Sequence, residues 1–268
     1  MAKTREMPVQ GPAPVEIPLP EAPLESVIAQ VRFPTLLTVP VSERIIGFHE
    51  AIRDRYPYLD RQDVPTFMLM SGGSLKPMGE PVVHWRFADD ATNYKWRVTL
   101  STEFIALETR AYESRKDFLR RLEMIVQTLE DTLAPTHMTR IGMRYIDQIK
   151  GAPLSRIETL LEKEVLGVAC SVGTAATQLL TQLTVAAEPG ELVARWGKLP
   201  ANMTIDPNAV PPIAEESWLL DLDVSQSVAM PFDTKAIVET AGIAAERVYA
   251  VFRWMVTNEF LKTYGGKV

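Results

Sequence analysis

The fold is decided by the stretch TRIGMRY at residues 139–145, which opens a β-rich run that extends to Ile149. This run starts only a few residues after Pro135, where a strong helical pattern ends. The same order of elements, strand, helix, strand meander and helix, occurs before and after this point. That order predicts an α+β protein with two similar halves, residues 23–136 and 137–268.

The first half supplies the clearest patterns. A β-rich run ends at Pro34, and Ser42 is a good N-cap for a helix that stops before Pro57. Short spacers between the next strand candidates imply antiparallel neighbours, and these candidates are residues 67–70, 82–87, 95–100 and 104–109. A second helix starts after Ser114 and has one apolar stripe, formed by Phe118, Leu122, Ile125, Val126, Leu129 and Leu133.

The second half follows the same plan. Ser155 and Glu158 have capping-box spacing and predict a helix after the strand at residues 139–149. Strand candidates then follow at residues 178–187, 192–196 and 218–224, and Asp233 caps a long final helix. We therefore predict an internal duplication. The two halves would form a curved antiparallel sheet with helices packed on one face, fused as one globular unit.

Composition limits the classes of partner. The 268 residues are 46% hydrophobic, which is enough for a sizeable core, and the formal net charge is -6. This charge gives no overall attraction for nucleic acid or anionic lipid, so nucleic acid is a disfavoured partner and no membrane is expected. A single cysteine and the lack of a signal peptide predict a cytoplasmic protein. The Pro-rich residues 1–22 are predicted to be a flexible, extended leader.

Motifs for phosphate or metal binding are weak. The stretch SGGS at residues 71–74 lacks the Lys-Ser/Thr pair of a phosphate-binding loop, and it predicts a hairpin or a flexible loop. The three histidines, His49, His84 and His137, have no metal-ligand spacing. We therefore predict neither a metal site nor a cofactor.

Two further features have both a chemical and a structural interpretation. Cys170 lies in an apolar context, which favours a buried, inert thiol over a nucleophile. Asp221 and Asp223 alternate with leucines in a strand candidate, so both carboxylates face one side of it. They are either an acid pair of an enzyme or part of the polar outer face of a sheet, and the second interpretation is simpler.

A cluster of cationic and aromatic residues is the best candidate for binding. Its members are Arg140, Arg144 and Tyr145 on the quoted stretch, with Trp96 and Arg97, and with Trp85 and Arg86, on earlier strand candidates. Arginine and tryptophan can stack and bind anions on a sheet, and Gly142 leaves an open space between the two arginines of the quoted stretch. The alternative, which the acidic composition favours, is that the arginines form ion pairs across strands with Glu103, Glu108 or Asp147.

Several of these segments resemble a known family. The segment VRF at residues 31–33, the strand at residues 104–109, the stretch TRIGMRY and the ending VTNEF at residues 256–260 are similar to a sporadically distributed bacterial family of uncharacterised proteins of about this length. The arginine-glycine-arginine strand is the most specific part of the resemblance, which covers nearly the whole chain after the leader. It implies no activity. The patchy distribution of the family implies an accessory gene of the mobile-element, defence or toxin-antitoxin type.

Three functions follow as hypotheses. A large core without a catalytic constellation favours a non-enzymatic binding protein whose sheet, or whose groove between the halves, holds a protein partner. The first alternative is a binder of nucleic acid or nucleotides that uses Arg97, Arg140, Arg144 and Trp96. The second is a hydrolase of unrecognised type that uses Asp221, Asp223 and a histidine. The sequence leaves the oligomeric state open.

Overall fold

The computed structural model describes residues 5–65, 67–69, 75–77 and 81–268, so the SGGS stretch lies outside the described residues. The strands are β1 (Leu24–Arg32), β2 (Tyr58–Val64), β3 (Phe67–Leu69), β4 (Leu75–Pro77), β5 (Val82–Ala88), β6 (Trp96–Ser101), β7 (Phe104–Thr109), β8 (His137–Met138), β9 (Arg140–Lys150), β10 (Thr181–Ala187), β11 (Gly190–Leu199), β12 (Ser217–Gln226) and β13 (Met230–Pro231). The helices are α1 (Ser42–Ile52), α2 (Arg115–Leu133), α3 (Ile157–Leu160), α4 (Lys163–Leu166), α5 (Ala169–Val172), α6 (Thr234–Met255) and α7 (Asn258–Thr263).

Nine strands form one open sheet in the order β10-β11-β12-β9-β1-β7-β6-β5-β2. The pairs β10–β11, β11–β12, β2–β5, β5–β6 and β6–β7 are antiparallel. The predicted α+β class with a large antiparallel sheet is therefore confirmed. On both sides of the sheet centre, the first strand of a half neighbours the last strand of its meander, β1 beside β7 and β9 beside β12. This agreement in strand order does not by itself confirm an internal duplication.

The chain divides into two compact units. Unit 1 contains residues 1–27, 142–226 and 240–268, and unit 2 contains residues 28–141 and 227–239. The units differ from the predicted halves because the first residues of the chain belong to unit 1 and residues 227–239 belong to unit 2. Among the described helices, none is long and apolar enough to cross a membrane.

In unit 2, helix α2 forms as its sequence predicts. The Ser114 side chain accepts a hydrogen bond from the main-chain N–H of Asp117, and Ala134 ends the helix in the left-handed conformation. The predicted stripe is buried from Phe118 to Leu129. Ring contacts of Phe118 with Trp96 and of Phe48 with Phe87 pack α2 and α1 against β6 and β5. Because successive side chains of a strand point to opposite faces, the polar residues of β5 and β6 lie on the other face of the sheet.

In unit 1, strand β11 largely alternates between buried and less buried residues, whereas β12 is buried on both faces. The two strands share a buried apolar face formed by Leu192, Ala194, Trp196, Leu220, Leu222 and Val224. The predicted capping box after Ser155 does not form, since the Ser155 hydroxyl donates to the carbonyl of Ala152. A single helix is replaced by the short helices α3, α4 and α5, and Gly167 and Gly173 follow two of them with positive φ angles. The start of α6 belongs to unit 2, and Asp233 caps it as predicted, because it accepts a hydrogen bond from the N–H of Ala236.

Candidate functional site

Arg144 of β9 lies at the centre of an ion cluster in unit 1. Its guanidinium binds Asp221 of β12 at two points, Nε to Oδ1 at 2.7 Å and Nη2 to Oδ2 at 3.0 Å. A third bond runs from Nη1 to Oδ2 of Asp206 at 2.7 Å. Arg195 donates from Nη1 to Asp221 Oδ2 at 3.3 Å, and from Nε to the side-chain oxygen of Gln182. The Asp221 carboxylate, only 1% exposed, is therefore held by two arginines.

This cluster anchors a loop, and both carboxylates that surround Arg144 are paired with its guanidinium. Burial opposes the charge of Arg144, but the hydrogen bonds and charges of Asp221 and Asp206 outweigh it and raise the pKa of the guanidinium. Burial likewise opposes the charge of Asp206, yet Arg144 and the main-chain N–H groups of Asn208 and Ala209 lower the pKa of its carboxyl. Asp206 belongs to the loop between β11 and β12, so the ion pair ties this loop to the sheet.

The predicted binding residues do not form a single site. Arg140 lies in unit 2, where it is half-buried at the start of β9, while Arg144 and the half-buried Tyr145 lie in unit 1. Trp96 and Arg97 follow each other on β6 and therefore point to opposite faces of the sheet. Trp96 is buried beneath α2, with the guanidinium carbon of Arg121 4.2 Å from its ring centre.

Arg97 lies on the polar face of unit 2. It is directly opposite Glu108 of β7, and its Nη2 atom is 2.5 Å from Glu108 Oε2. This is one of the cross-strand pairs that the sequence suggested, whereas Arg144 pairs with none of the three suggested carboxylates. Tyr94 donates to the other Glu108 oxygen at 2.8 Å. The guanidinium carbons of Arg97 and Arg110 lie 4.4 and 4.5 Å from the centre of the Tyr94 ring.

The residues of the hydrolase hypothesis are not brought together within one unit. The three histidines belong to unit 2, whereas Asp221 and Asp223 belong to unit 1. Cys170 is exposed, so the expectation of a buried thiol is wrong, because the short helix that contains it turns that side chain to solvent. No group of three potential metal ligands occurs among the residues that the structure describes.

A groove on unit 1, anchored by Arg247, is absent from the predictions that the sequence supports. The Arg247 side chain, 4% exposed, donates from Nη1 to the carbonyl of Pro8 at 2.7 Å and from Nη2 to the carbonyl of Gly11. Its Nη2 atom also lies 3.2 Å from the Glu188 carboxylate. The main-chain N–H of Glu188 donates to the carbonyl of Val9. Arg247 is thus enclosed by the main chain of the leader.

Two aromatic side chains of α6 continue this pattern. The Tyr249 hydroxyl accepts a hydrogen bond from the N–H of Ile17 at 2.7 Å and lies 3.3 Å from the carbonyl of Val15, to which it donates. Trp254 Nε1 donates to the carbonyl of Arg5 at 3.1 Å. Each of these bonds goes to the main chain of the leader, and one side-chain contact adds to them, an ion pair between Arg5 and Glu162.

The apolar part of the groove lies beyond Tyr249. Ile17 and Leu19 are half-buried, while the intervening Pro18 is exposed, as expected for an extended segment with one face on the protein. A Cβ atom added to Gly266 would lie 2.7 Å from a Leu19 methyl carbon and 2.9 Å from the carbonyl oxygen of Leu261, so only glycine fits there. We call the surface formed by Arg247, Tyr249, Trp254, the Glu188 turn and Gly266 the leader groove.

One sequence signal could have revealed this groove. Arg247 interrupts the broad apolar face of α6, where Ala244, Val248 and Val251 are buried. A buried arginine needs hydrogen-bond acceptors, so a cation at this position predicts a segment that supplies them. The acceptors are main-chain carbonyls more than 230 residues away in sequence, as shown by the 239-residue separation from Pro8, and no local pattern identifies such partners.

Unit 1 also contains a buried carboxyl group with a raised pKa. Asp147 of β9 is buried, and burial together with the charge of Glu25 raises its pKa to about 7. Burial and the charge of Asp147 raise the pKa of Tyr264 to about 12, although Arg156 acts in the opposite direction. Lys150 pairs with Glu25 at 2.7 Å.

Comparison with known proteins adds no identification. No family model matches the chain, and no curated protein and no solved structure matches it either.

Proposed function

We propose that this is a binding protein whose leader groove captures an extended polypeptide segment of a protein partner. The observation that supports this proposal is the set of hydrogen bonds from Arg247, Tyr249 and Trp254 to the main chain of the leader. Side chains that bind main-chain groups accept many sequences, provided that the segment is extended. The leader therefore serves as an example of the ligand.

The chemistry of the leader defines the kind of partner. Its prolines disfavour helix and hold the chain extended, which lowers the conformational entropy lost on binding. Apolar side chains at alternate positions, Ile17 and Leu19, face the groove. The expected partner therefore contributes a proline-containing extended segment with apolar residues at alternate positions.

The leader occupies the groove, so a segment of another protein must compete with it. A segment tethered next to its own groove competes at an effective concentration of about 1 mM. A partner must either bind more tightly than the leader or act when the leader is displaced. Between residues 5 and 22 no residue of the leader is fully buried, and segments with few buried apolar contacts open most easily, which suits such exchange.

A direct test uses the chain that begins at residue 23 and a fluorescent peptide with the sequence of residues 5–22. We expect saturable binding, because the groove is then empty. Arg247→Gln should weaken binding about tenfold or more, since it removes two charge-assisted hydrogen bonds to carbonyls. Lys235→Gln, which removes an exposed cation from the same helix, is the matched control and should leave the affinity unchanged.

The folded state of both variants is checked by circular dichroism and thermal unfolding. A folded chain without saturable binding, or equal affinities for the Arg247→Gln variant and the parent chain, would contradict the proposal.

A further inference from the structure

A second cluster of positive charge lies on the polar face of unit 2, which is the face opposite the buried Phe87 and Trp96. Arg86 of β5 and Arg97 of β6 are diagonal neighbours on this face, because Arg86 is opposite Thr99 and Arg97 is opposite Ala88. Arg110 follows β7 and shares the Tyr94 ring with Arg97. We call Arg86, Arg97 and Arg110 the arginine cluster.

The charges of this cluster are only partly balanced. Glu108 pairs with Arg97, but neither Arg86 nor Arg110 has an ion pair within the described part of the chain. Asp60 is opposite Arg86 in the register, yet its carboxylate accepts a hydrogen bond from Gln62 instead. The Nε atoms of Arg86 and Arg97 are buried without a hydrogen-bond partner among the described residues. Guanidinium groups that have lost water without gaining an anion are destabilised.

The neighbouring charges do not fully offset the burial of Arg86. Burial and the neighbouring charge of Arg97 lower the pKa of Arg86, while Asp60 and Glu108 only partly compensate. Tyr94 is held in place by its bond to Glu108, and the turn before it is fixed by Asp89, which accepts hydrogen bonds from two main-chain N–H groups. Tyr94, whose ring contacts Arg97 and Arg110, is therefore held in place before any ligand arrives.

We propose that the arginine cluster binds a phosphate group, either free or as the monoester of a small molecule. Planar guanidinium groups match the oxygens of a tetrahedral oxyanion and bind it through charge-assisted hydrogen bonds. The anion would contact the solvent-accessible ends of Arg86 and Arg110 and neutralise the excess charge. Glu108 and Asp60 flank the cluster, so the site suits one phosphate group and repels a continuous phosphate backbone.

This site goes beyond the proposed polypeptide binding. It lies in unit 2 and uses none of the residues of the leader groove, so either proposal can fail without the other.

Titration of the full chain with inorganic phosphate, at constant ionic strength maintained with sodium chloride, tests the site. Calorimetry gives the dissociation constant, and the arginine Nε–Hε resonances report which side chains respond. We expect saturable binding that shifts the signals of Arg86 and Arg110. Arg86→Gln and Arg110→Gln should each weaken binding about tenfold, because each loses one charged contact.

Arg61→Gln is the matched control. Arg61 lies on the adjacent strand β2 but is opposite Trp85, so it faces the other side of the sheet, and its loss should leave the affinity unchanged. Adenosine monophosphate, added in place of phosphate, distinguishes the sources of the group: similar affinity indicates free phosphate, and tighter binding indicates a nucleotide.

Three results would overturn the proposal. These are a response to phosphate no larger than that to chloride, equal affinities for the parent chain and the Arg110→Gln variant, and binding of a single-stranded oligonucleotide without binding of phosphate. Arg110 is exposed, so its variant keeps the test decisive even if Arg86→Gln does not fold.

Discussion

At the scale of single residues, the environment of a charged group decides its role more than its type. Arg97 pairs with Glu108 across two neighbouring strands, and the sequence could suggest this pair because the strands are close along the chain. The partners of Arg144 could not be predicted, since Asp206 and Asp221 follow it by 62 and 77 residues. Pairs of this kind depend on strand order, which leaves no local pattern in the sequence.

Arg144→Met should destabilise the protein strongly. The substitution leaves the nearly fully buried Asp221 carboxylate with Arg195 alone, at 3.3 Å, and breaking a buried pair costs about 3 kcal/mol or more. Urea unfolding measures the loss in the free energy of unfolding. Arg156→Met is the control, because the Arg156–Glu259 pair is roughly half exposed and should contribute less than about 1 kcal/mol. Equal losses for the two variants would show that the Arg144 cluster does not anchor the loop between β11 and β12.

Asp147 should make stability depend on pH. The pKa of its carboxyl is about 7 in the folded protein and about 4 in the unfolded chain, so the folded state binds the proton more tightly. The stabilising effect of the neutral form is complete below about pH 4 and is lost as the pH rises to about 7. Glu25 and Tyr264 are the titratable neighbours, and Lys150 and Arg156 are the nearby cations.

Asp147→Asn removes this titration. The variant should gain stability relative to the parent chain as the pH rises from about 4 to about 7, with a slope of up to about 1.4 kcal/mol per pH unit. Thermal unfolding of both proteins across this range measures the difference. A stability difference that stays constant with pH would mean that Asp147 is ionised in the folded protein.

At the scale of elements, prediction succeeds where local signals agree. Helix α2 has an N-cap, an apolar stripe of helical period and a closing proline, and it forms with the predicted stripe buried. The helix expected after Ser155 rests on capping-box spacing and on a shorter apolar set, Ile157, Leu160, Leu161 and Val165. Gly167 and Gly173 interrupt that segment, and short helices pack separately instead.

The two serines provide a matched pair of substitutions. Ser114→Ala should lower the free energy of unfolding by about 1 kcal/mol, because it removes the acceptor for the N–H of Asp117 at the start of α2. Ser155→Ala should change it by less than about 0.5 kcal/mol, because that exposed side chain caps no helix. Chemical denaturation compares the two variants. A larger effect of Ser155→Ala would indicate that the cap at α2 is not important for stability.

At the scale of the whole molecule, the sequence predicts the class of fold but not the path of the chain. Alternating strands and short spacers give the meanders, whereas the placement of β1 beside β9 requires pairing between residues far apart in sequence. The leader shows the same limit. Its prolines predict an extended segment, but its position on α6 depends on Arg247, whose acceptors lie at the other end of the chain.

Amide hydrogen exchange at Ile17 in the full chain tests most directly whether the leader occupies its groove. Ile17 donates its N–H to Tyr249, so we expect slow exchange in the free protein. Excess peptide with the sequence of residues 5–22 should displace the leader and accelerate the exchange, and Arg247→Gln should do so without peptide. Exchange of Ile17 in the free protein at the rate of an unstructured peptide would rule out the leader groove as a binding site, as would protection that neither the peptide nor the substitution reduces.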